Sequence, residues 1–359
     1  MVAAVMKNIS ESGARNPKME PMVAIHGQGG DEVLQTAVQY GIKNILVYGG
    51  PGTRHMKFQE YVTLRMRIES FGLKLAAIEG GFSPDLNYHD VIFGGPKQDE
   101  LIEDLLIQVR DMGRAGIPIY GYNWMPNSWG RAQPTIIRGG AMGTGYQYDW
   151  ENDRRPKTFG EDMDEGTMWD ALEYWIKAVT PVAEEVGMRC GIHPEDPPVP
   201  QRGGVPGLFR NMAAFKRLVE IVDSDYNAIE FCQGTFSEMP GEDIYEMIEY
   251  FASRNKVMYV HFRNVSGKAP AFNEEFINTG YVNMKKAMRT YRDAGFTGNF
   301  IDDHCPLMVD DTDFPGNLGG YRSRLFAQGY IAGVIESVKK EVEYGGPVDM
   351  SAAGEGASS

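Results

Sequence analysis

The sequence predicts an α/β fold, a (β/α)8 TIM barrel with a long loop after the fourth strand. Two observations lead to this prediction. Short apolar runs rich in β-branched residues alternate with longer amphipathic stretches from about residue 23 to residue 340, the pattern expected of parallel βα units. Eight such units follow one another without a break in composition, and a barrel of this kind needs roughly 250 residues or more. An open, doubly wound sheet is the alternative.

The eight predicted strands are short apolar runs bounded by polar, Gly or Pro residues. In chain order they cover residues 22–26, 44–48, 73–79, 118–124, 188–193, 227–232, 256–263 and 299–303. The helices between them are predicted at 31–40, 58–71, 99–114, 167–186, 210–222, 241–254, 282–294 and 321–342. Five helices are followed at once by a glycine, which fits a left-handed helix terminus: Gly41, Gly72, Gly116, Gly187 and Gly295.

One connection breaks this pattern. From Asn127 to about Asp164 the chain is rich in Gly, Pro and aromatic residues and shows no helical period. A connection of that length is typical of a lid or binding segment, and its aromatic residues argue against disorder. We expect an N-terminal extension at residues 1–20, a single barrel domain at 21–345 and a flexible C-terminal tail at 346–359.

The negative net charge limits which classes of partner the protein can bind. There are 35 Lys and Arg against 49 Asp and Glu in 359 residues, a net charge of −14, so the overall field repels nucleic acid and anionic membranes. The three cysteines are an odd and sparse set, more typical of a reducing compartment than of a disulfide framework. No apolar run approaches the roughly 20 residues of a membrane span. We therefore expect a cytoplasmic protein with a small-molecule ligand, and homo-oligomerisation is left open.

The last four predicted strands end in residues that can bind a metal. His193, Cys232, His261 and Asp303 are each about one βα unit apart, and the strand ends of a barrel meet at one rim. Two imidazoles, a thiolate and a carboxylate suit a divalent first-row metal. A buried Cys or a hydrogen-bonded His is the ordinary explanation of each residue alone. The coincidence on adjacent strands instead favours an open catalytic metal site.

Other polar residues near these strand ends are candidates for catalysis. His304 follows Asp303 and is placed to transfer a proton without being a ligand. Tyr321, after the eighth strand, is a second candidate proton carrier; the alternative is an aromatic residue that packs at the start of the last helix.

Four residues are candidates for substrate binding. Arg263 lies two residues beyond His261, on the same side of the strand, where a guanidinium can bind a substrate carboxylate. A salt bridge from Arg263 to Glu195 or Asp196 is the alternative. The other three candidate substrate contacts are Asn123, Arg131 and Arg138.

Four strings at the strand ends resemble the motifs of the mannonate dehydratase family. They are GIHPEDPP at 191–198, EFCQG at 230–234, VHFRN at 260–264 and the pair Asp303-His304, and the segment GIPIYGYNWMP at 116–126 is similar to the family's fourth strand. Two N-terminal strings depart from the family pattern, HGQGG at 26–30 and YGGPGTR at 48–54.

The resemblance implies a metal-dependent barrel that dehydrates D-mannonate to 2-keto-3-deoxy-D-gluconate by β-elimination. It implies metal ligands at His193, Cys232, His261 and Asp303, a catalytic His at His304 and a catalytic Tyr at Tyr321. It also implies Mn²⁺, whereas the softness of a thiolate favours Zn²⁺, Fe²⁺ or Co²⁺. The alternatives are a dehydratase for a different sugar acid, a xylose-isomerase-like metal-dependent isomerase or epimerase, and a non-catalytic sugar-acid-binding barrel.

Overall fold

Eight parallel strands close into a barrel, as predicted. The computed structural model describes residues 18–27, 29–49, 56–81, 88–127, 133–148, 157–159, 162–311 and 320–343. The barrel strands are β1 (Met19–His26), β2 (Asn44–Tyr48), β3 (Lys74–Gly81), β4 (Ile119–Asn123), β7 (Arg189–Ile192), β10 (Asn227–Cys232), β11 (Val257–His261) and β13 (Gly298–Ile301). They are hydrogen-bonded in that order around the ring, and β13 pairs with β1 to close it.

Helices form the outer layer of the barrel. They are α1 (Asp31–Gln39), α2 (Phe58–Glu69), α3 (His89–Phe93), α4 (Gln98–Arg114), α5 (Glu165–Val186), α6 (Met212–Ile221), α7 (Gln233–Glu238), α8 (Ile244–Ala252), α9 (Met284–Asp293) and α10 (Tyr321–Glu343). Eight of them match the predicted helices to within a few residues, whereas α3 and α7 are short additional turns of helix.

Helix α5 shows how the sequence produces this layer. Asp164 caps its first turn by accepting a hydrogen bond from the backbone N–H of Thr167, 2.7 Å away. The apolar residues of α5 recur at helical spacing and are buried, and the indole of Trp175 donates to the Tyr122 hydroxyl on β4. The helix ends at Gly187, whose φ of 66° is left-handed, and the other four glycines predicted for this role also have positive φ.

The barrel interior changes from apolar to polar along its axis. Its middle is filled by small and medium apolar side chains, including Ala24, Leu46, Ala228 and Ile301. Toward the carboxyl ends of the strands these give way to His, Cys, Glu and Asp, all of them buried. A larger apolar cluster, rich in Phe, Leu and Ile, lies between the strands and the helices. The polar end of the interior is therefore held by a packed scaffold on every side.

The long connection after β4 contains strands that the sequence pattern did not predict. β5 (Gln133–Ile136) and β6 (Met142–Gln147) form an antiparallel hairpin, and β12 (Ala271–Asn273), from the segment after β11, adds a third strand. A Cβ atom at Gly143 would lie 2.7 Å from the backbone oxygen of Glu274, so the glycines that hid the strand pattern permit this close approach. A small hairpin of β8 (Gln201–Arg202) and β9 (Val205–Pro206) follows β7.

The ends of the domain differ slightly from the expected boundaries. β1 begins at Met19, so the last two residues assigned to the N-terminal extension are part of the barrel. Residues 1–17 and the predicted tail at 346–359 lie outside the described residues. Within the described ranges, no helix is both long and apolar enough to cross a membrane.

Candidate metal centre at the carboxyl ends of the barrel strands

The four predicted ligands come together at the polar end of the barrel. His193 directly follows β7, Cys232 ends β10, His261 ends β11, and Asp303 lies two residues beyond β13. Cys232 and His261 are paired in register between adjacent strands. All four residues are at most 4% exposed. Asp303 has a φ of 54°, a left-handed conformation that is uncommon outside glycine and that Asp and Asn adopt more readily than other residues.

Three of these side chains form a compact group, and Asp303 contacts two of its members. The donor atoms of His193, Cys232 and His261 all lie within 4.8 Å of one another. Asp303 Oδ2 is 3.4 Å from His261 Nδ1 and 3.8 Å from Cys232 Sγ. Atoms that bind one ion at about 2.0 to 2.3 Å lie roughly 3 to 3.8 Å apart. The two distances from Asp303 lie in this range, and the donor set has the chemistry of a first-row metal site.

Hydrogen bonds fix which nitrogen of each imidazole faces the centre. His193 Nδ1 is 2.7 Å from the carbonyl oxygen of Pro194, so it donates, and Nε2 is the nitrogen placed to bind a metal in place of its proton. His261 Nε2 is 3.0 Å from Glu79 Oε2 and 3.2 Å from Glu230 Oε1, so it donates and leaves Nδ1 toward Asp303. This is the arrangement of metal-binding histidines, whose second nitrogen donates to a carbonyl or a carboxylate.

The electrostatics of the cluster favour a bound cation. Burial raises the pKa of the Cys232 thiol, but Arg263 and His193 more than offset this and lower it to about 5. Burial likewise opposes ionisation of Asp303, yet the nearby His304, His261 and Arg263 hold its pKa well below the usual range. Burial lowers the pKa of His193, but Cys232 and Glu230 raise it to about 9. The anionic groups thus attract positive charge, supplied by protons or by a metal.

Arg263 lies beside the candidate ligands and donates a hydrogen bond to one of them, Asp303. It is 1% exposed. Its N–H groups are 2.7–2.9 Å from oxygen atoms of Asp196, Thr235, Glu238, Glu274 and Asp303. These five bonds use all five donors of a guanidinium. This is the alternative arrangement considered for Arg263, a salt bridge to Asp196, and it leaves no donor for a substrate carboxylate. Thr235, held by Arg263, in turn donates to Cys232 Sγ across 3.2 Å.

The two predicted catalytic residues have different positions. His304 lies beside the cluster, with Nδ1 3.0 Å from Glu274 Oε1 and Nε2 3.6 Å from Asp303 Oδ1, and its side chain is 12% exposed. Tyr321 begins α10 and is 40% exposed, with its hydroxyl 3.0 Å from Thr36 Oγ1 on α1. His304 therefore lies beside the candidate ligands, whereas the Tyr321 hydroxyl contacts helix α1 in the outer layer.

Two of the three remaining predicted substrate contacts, Asn123 and Arg138, lie in described parts of the chain. Asn123 ends β4, level with Gly81 of β3, and is half-buried. Arg138 is exposed in the turn between β5 and β6; its guanidinium lies 4.1 Å from the ring centre of Phe276 and donates to Asn278. Arg131 lies outside the described residues.

The sequence pattern missed a pair of buried carboxylates beneath the donor set. Glu79 and Glu230 both contact His261 Nε2, and the Tyr259 hydroxyl donates to Glu79 across 3.1 Å. Alternation along the strands contains a signal for them. Glu230 lies two residues before Cys232, and Tyr259 two before His261, so each shares the inward face of its strand with a ligand.

Comparison with known proteins agrees with the predicted fold and family. The family model of D-mannonate dehydratase (UxuA) matches residues 19–157 and 144–344. The mannonate dehydratase of Streptococcus pneumoniae (strain 70585) is 28% identical over 320 residues, covering 81% of this chain and 85% of that protein. The crystal structure of mannonate dehydratase from Streptococcus suis serotype 2 is 26% identical, with a TM-score of 0.83, and the match covers 96% of this chain and 98% of that one.

A more distant structure shows the fold alone. A xylose isomerase domain protein from Alicyclobacillus acidocaldarius subsp. acidocaldarius has a TM-score of 0.57 at 16% identity, covering 90% of this chain and 99% of that one. It shares the barrel and carries no argument about the reaction. The match of the family model over nearly the whole barrel is what confirms the resemblance found at the strand ends, and the chain belongs to the D-mannonate dehydratase family, whose members are hydro-lyases.

Proposed function

We propose that this protein is a metal-dependent dehydratase that removes water from a sugar acid, with D-mannonate as substrate and 2-keto-3-deoxy-D-gluconate as product. The observation that supports this most directly is the grouping of the donor atoms of His193, Cys232 and His261 within 4.8 Å of one another, with Asp303 3.4 Å from His261 and 3.8 Å from Cys232. These residues would hold Mn²⁺, with Fe²⁺, Co²⁺ and Zn²⁺ as alternatives that the donor set also suits. A divalent ion at this position supplies positive charge that stabilises a developing oxyanion or a departing hydroxide.

The reaction needs two proton transfers by the chain. A proton leaves the carbon beside the carboxylate, the hydroxyl of the next carbon departs with a proton as water, and the resulting enol becomes the 2-keto product. His304 is our candidate for one of these transfers, because it lies beside the donor set and is oriented by Glu274 at 3.0 Å. Tyr321 is assigned to the other transfer only by its match to the family motif, since its hydroxyl is bonded to Thr36.

Localisation and the metal are further parts of this proposal. The three cysteines are free and carry no disulfide, which supports a reducing, cytoplasmic location.

To identify the metal, the apoprotein is reconstituted separately with each of the four ions, and the turnover number per bound ion is compared. We expect the highest value with Mn²⁺.

The decisive experiment incubates the metal-loaded protein with D-mannonate, its C2 epimer D-gluconate and a set of other aldonic and uronic acids. A dehydratase gives a product lighter by one water, whereas an isomerase or epimerase gives a product of unchanged mass. We expect water loss from D-mannonate. If no acid in the set loses water while metal analysis shows a filled site, the proposal is wrong.

A further inference from the structure

The carboxyl ends of β1 and β2 lie across the barrel from most of the donor set. His26 ends β1 and Tyr48 ends β2, and the two are paired in register. Leu46, two residues before Tyr48, belongs to the apolar cluster inside the barrel, and Tyr48 packs against that cluster. Since alternate residues of a strand share a face, the Tyr48 side chain also points into the barrel. Its ring lies against the imidazole of His26, with the ring centres 4.8 Å apart.

Tyr48 is at the level of the metal-binding side chains. It is paired in register with Glu79 on β3, and Glu79 accepts the hydrogen bond from His261. On the other side of β1 the neighbouring strand is β13, which leads to Asp303. Glu79 and Asp303 both lie near enough to affect the phenol: burial first, and then these two carboxylates, raise the pKa of Tyr48 well above 10. The phenol therefore keeps its proton at neutral pH and is a hydrogen-bond donor.

The Tyr48 hydroxyl is buried, and among the residues that the structure describes it has no hydrogen-bond partner. Buried hydroxyl groups in native proteins nearly always have a partner, because leaving one unpaired is costly. A donor that is unpaired, inward-facing and beside a catalytic centre is available to a ligand. Glu79 and Asp303 outweigh His261 and Arg324 in their effect on this phenol, so a further anionic group is disfavoured here and the complementary partner is a neutral hydroxyl.

We propose that Tyr48 is a substrate-contact residue whose phenol donates a hydrogen bond to a hydroxyl group on the polyol chain of the sugar acid. In this arrangement β7, β10, β11 and the segment after β13 supply the metal-binding end of the site. β1 and β2 supply a neutral wall, made of His26 and Tyr48, for the rest of the substrate. Both residues lie in strings that depart from the family motifs. The inference rests on the proposed dehydratase function.

The test compares two Tyr→Phe variants that each remove one buried, unpartnered hydroxyl. Tyr48→Phe removes the proposed contact. Tyr291→Phe is the matched control, because the Tyr291 hydroxyl is also without a partner among the described residues but lies among Phe231, Phe262 and Phe300 in the apolar outer layer. Loss of one neutral hydrogen bond to substrate lowers kcat/KM by roughly tenfold. We expect that loss in Tyr48→Phe and a change of less than about twofold in Tyr291→Phe.

Two further measurements on the same proteins distinguish a substrate contact by the Tyr48 hydroxyl from a structural role. Because the hydroxyl bonds to nothing in the described protein, Tyr48→Phe should keep the melting temperature and the Mn²⁺ content of the parent. A loss of kcat/KM that is accompanied by loss of bound metal overturns the inference, since Tyr48 would then act through the metal site. Equal kcat/KM in the two variants overturns it as well.

Failure of the proposed function has a different signature. If the metal-loaded parent dehydrates no sugar acid, binding of D-mannonate is measured by calorimetry instead. Binding weakened roughly tenfold in Tyr48→Phe alone would support the contact without the reaction. Equal binding by both variants, or no binding by the parent, would overturn the inference.

Discussion

His261 Nε2 donates to Glu79 Oε2 across 3.0 Å, which turns Nδ1 of the same ring toward Asp303. The contact joins the end of β11 to the end of β3, nearly opposite each other in the barrel. Gly121 of β4 leaves space for two groups that adjoin this contact, since a Cβ atom there would overlap the Tyr259 hydroxyl and Glu230 Oε2. Glu79 therefore acts on the candidate metal through His261, as a positioning residue.

Glu79→Gln should weaken metal binding without removing a ligand. An amide is a poorer acceptor than a carboxylate and holds the His261 ring less firmly, and comparable changes behind metal-binding histidines cost about 10- to 100-fold in metal affinity. The dissociation constant for Mn²⁺ is measured by competition with a chelator. Glu103→Gln, on the exposed face of α4, is the control and should bind Mn²⁺ like the parent. An unchanged constant in Glu79→Gln would show that the contact does not support the metal.

Cys232→Ser should lower bound metal and activity together. A serine hydroxyl is not ionised at neutral pH, whereas the thiol of Cys232 has a pKa lowered to about 5 and offers a thiolate. Metal content per chain is measured after reconstitution and desalting. Cys190→Ala is the matched control, since Cys190 is buried on β7 and burial raises its pKa to about 12, so it stays a thiol in the core. Full occupancy in Cys232→Ser would remove Cys232 from the ligand set.

His304→Gln should reduce turnover while leaving metal binding intact. Glutamine can keep the hydrogen bond to Glu274 but cannot carry a proton, and loss of a positioned acid or base costs about 10²- to 10⁴-fold in rate. The two quantities to compare are kcat on D-mannonate and the affinity for Mn²⁺. If kcat stays within tenfold of the parent, His304 transfers no proton in the rate-limiting step.

The barrel and the strand-end positions of the four candidate ligands could be predicted because both are periodic in the chain. Each βα unit repeats the strand and helix pattern, with a glycine after five of the helices, so the ends of successive strands could be aligned and His193, Cys232, His261 and Asp303 identified together. That the four lie close together is a finding of the structure. Alternation places Glu230 on the inward face of its strand, but the contacts of Glu79 and Glu230 with His261 across the barrel interior could not be predicted from spacing in the chain.

Arg263 illustrates a second limit. Because Arg263 lies two residues beyond His261, the sequence predicts that the two side chains lie on the same side of the strand. This spacing does not predict how many carboxylates surround the guanidinium. Asp196, Glu238 and Glu274 come from three separate connections after the strands, and together with Asp303 and Thr235 they use all of its donors. The β5–β6 hairpin was missed because its glycines break the strand pattern, and its pairing with β12 could not be predicted because β12 lies more than 100 residues further along the chain.

Arg263→Met should strongly destabilise the fold. Methionine has a similar length, but the change leaves several buried carboxylates without their cation, and breaking a buried ion pair from one side costs about 3–5 kcal/mol. The free energy of unfolding in urea is the measurement. Arg254→Met, at an exposed arginine after α8, is the control and should change stability by less than about 1 kcal/mol. A loss below 1 kcal/mol in Arg263→Met would mean that the network is not a major source of stability.

Glu341 should stabilise the packing of α10 against α9 at neutral pH, and this stabilisation should be lost in acid. It lies on α10 and accepts two hydrogen bonds from Arg289 on α9, at 2.8 and 2.9 Å, with Lys285 3.0 Å away. The hydrogen bond from Arg289 is the main cause that lowers its pKa from 4.5 to about 2. A folded-state pKa below the unfolded value means that the carboxylate contributes its full stabilisation above about pH 4.5 and loses it as the pH falls toward 2.

The measurement is the difference in unfolding free energy between the parent and Glu341→Gln across this pH range. We expect the variant to be less stable by about 1 kcal/mol at pH 7, because the pair is doubly bonded but close to the surface. The difference should shrink below pH 4.5 and disappear near pH 2. Taking the difference cancels the titration of groups common to both proteins, including the metal-site residues.

Glu336→Gln removes an exposed pair with Lys340 on the same helix and is the control, for which we expect little difference at any pH. A difference for Glu341→Gln that is constant from pH 7 to pH 2 would show that the charge of Glu341 does not stabilise the fold, and that the packing of its side chain accounts for any loss.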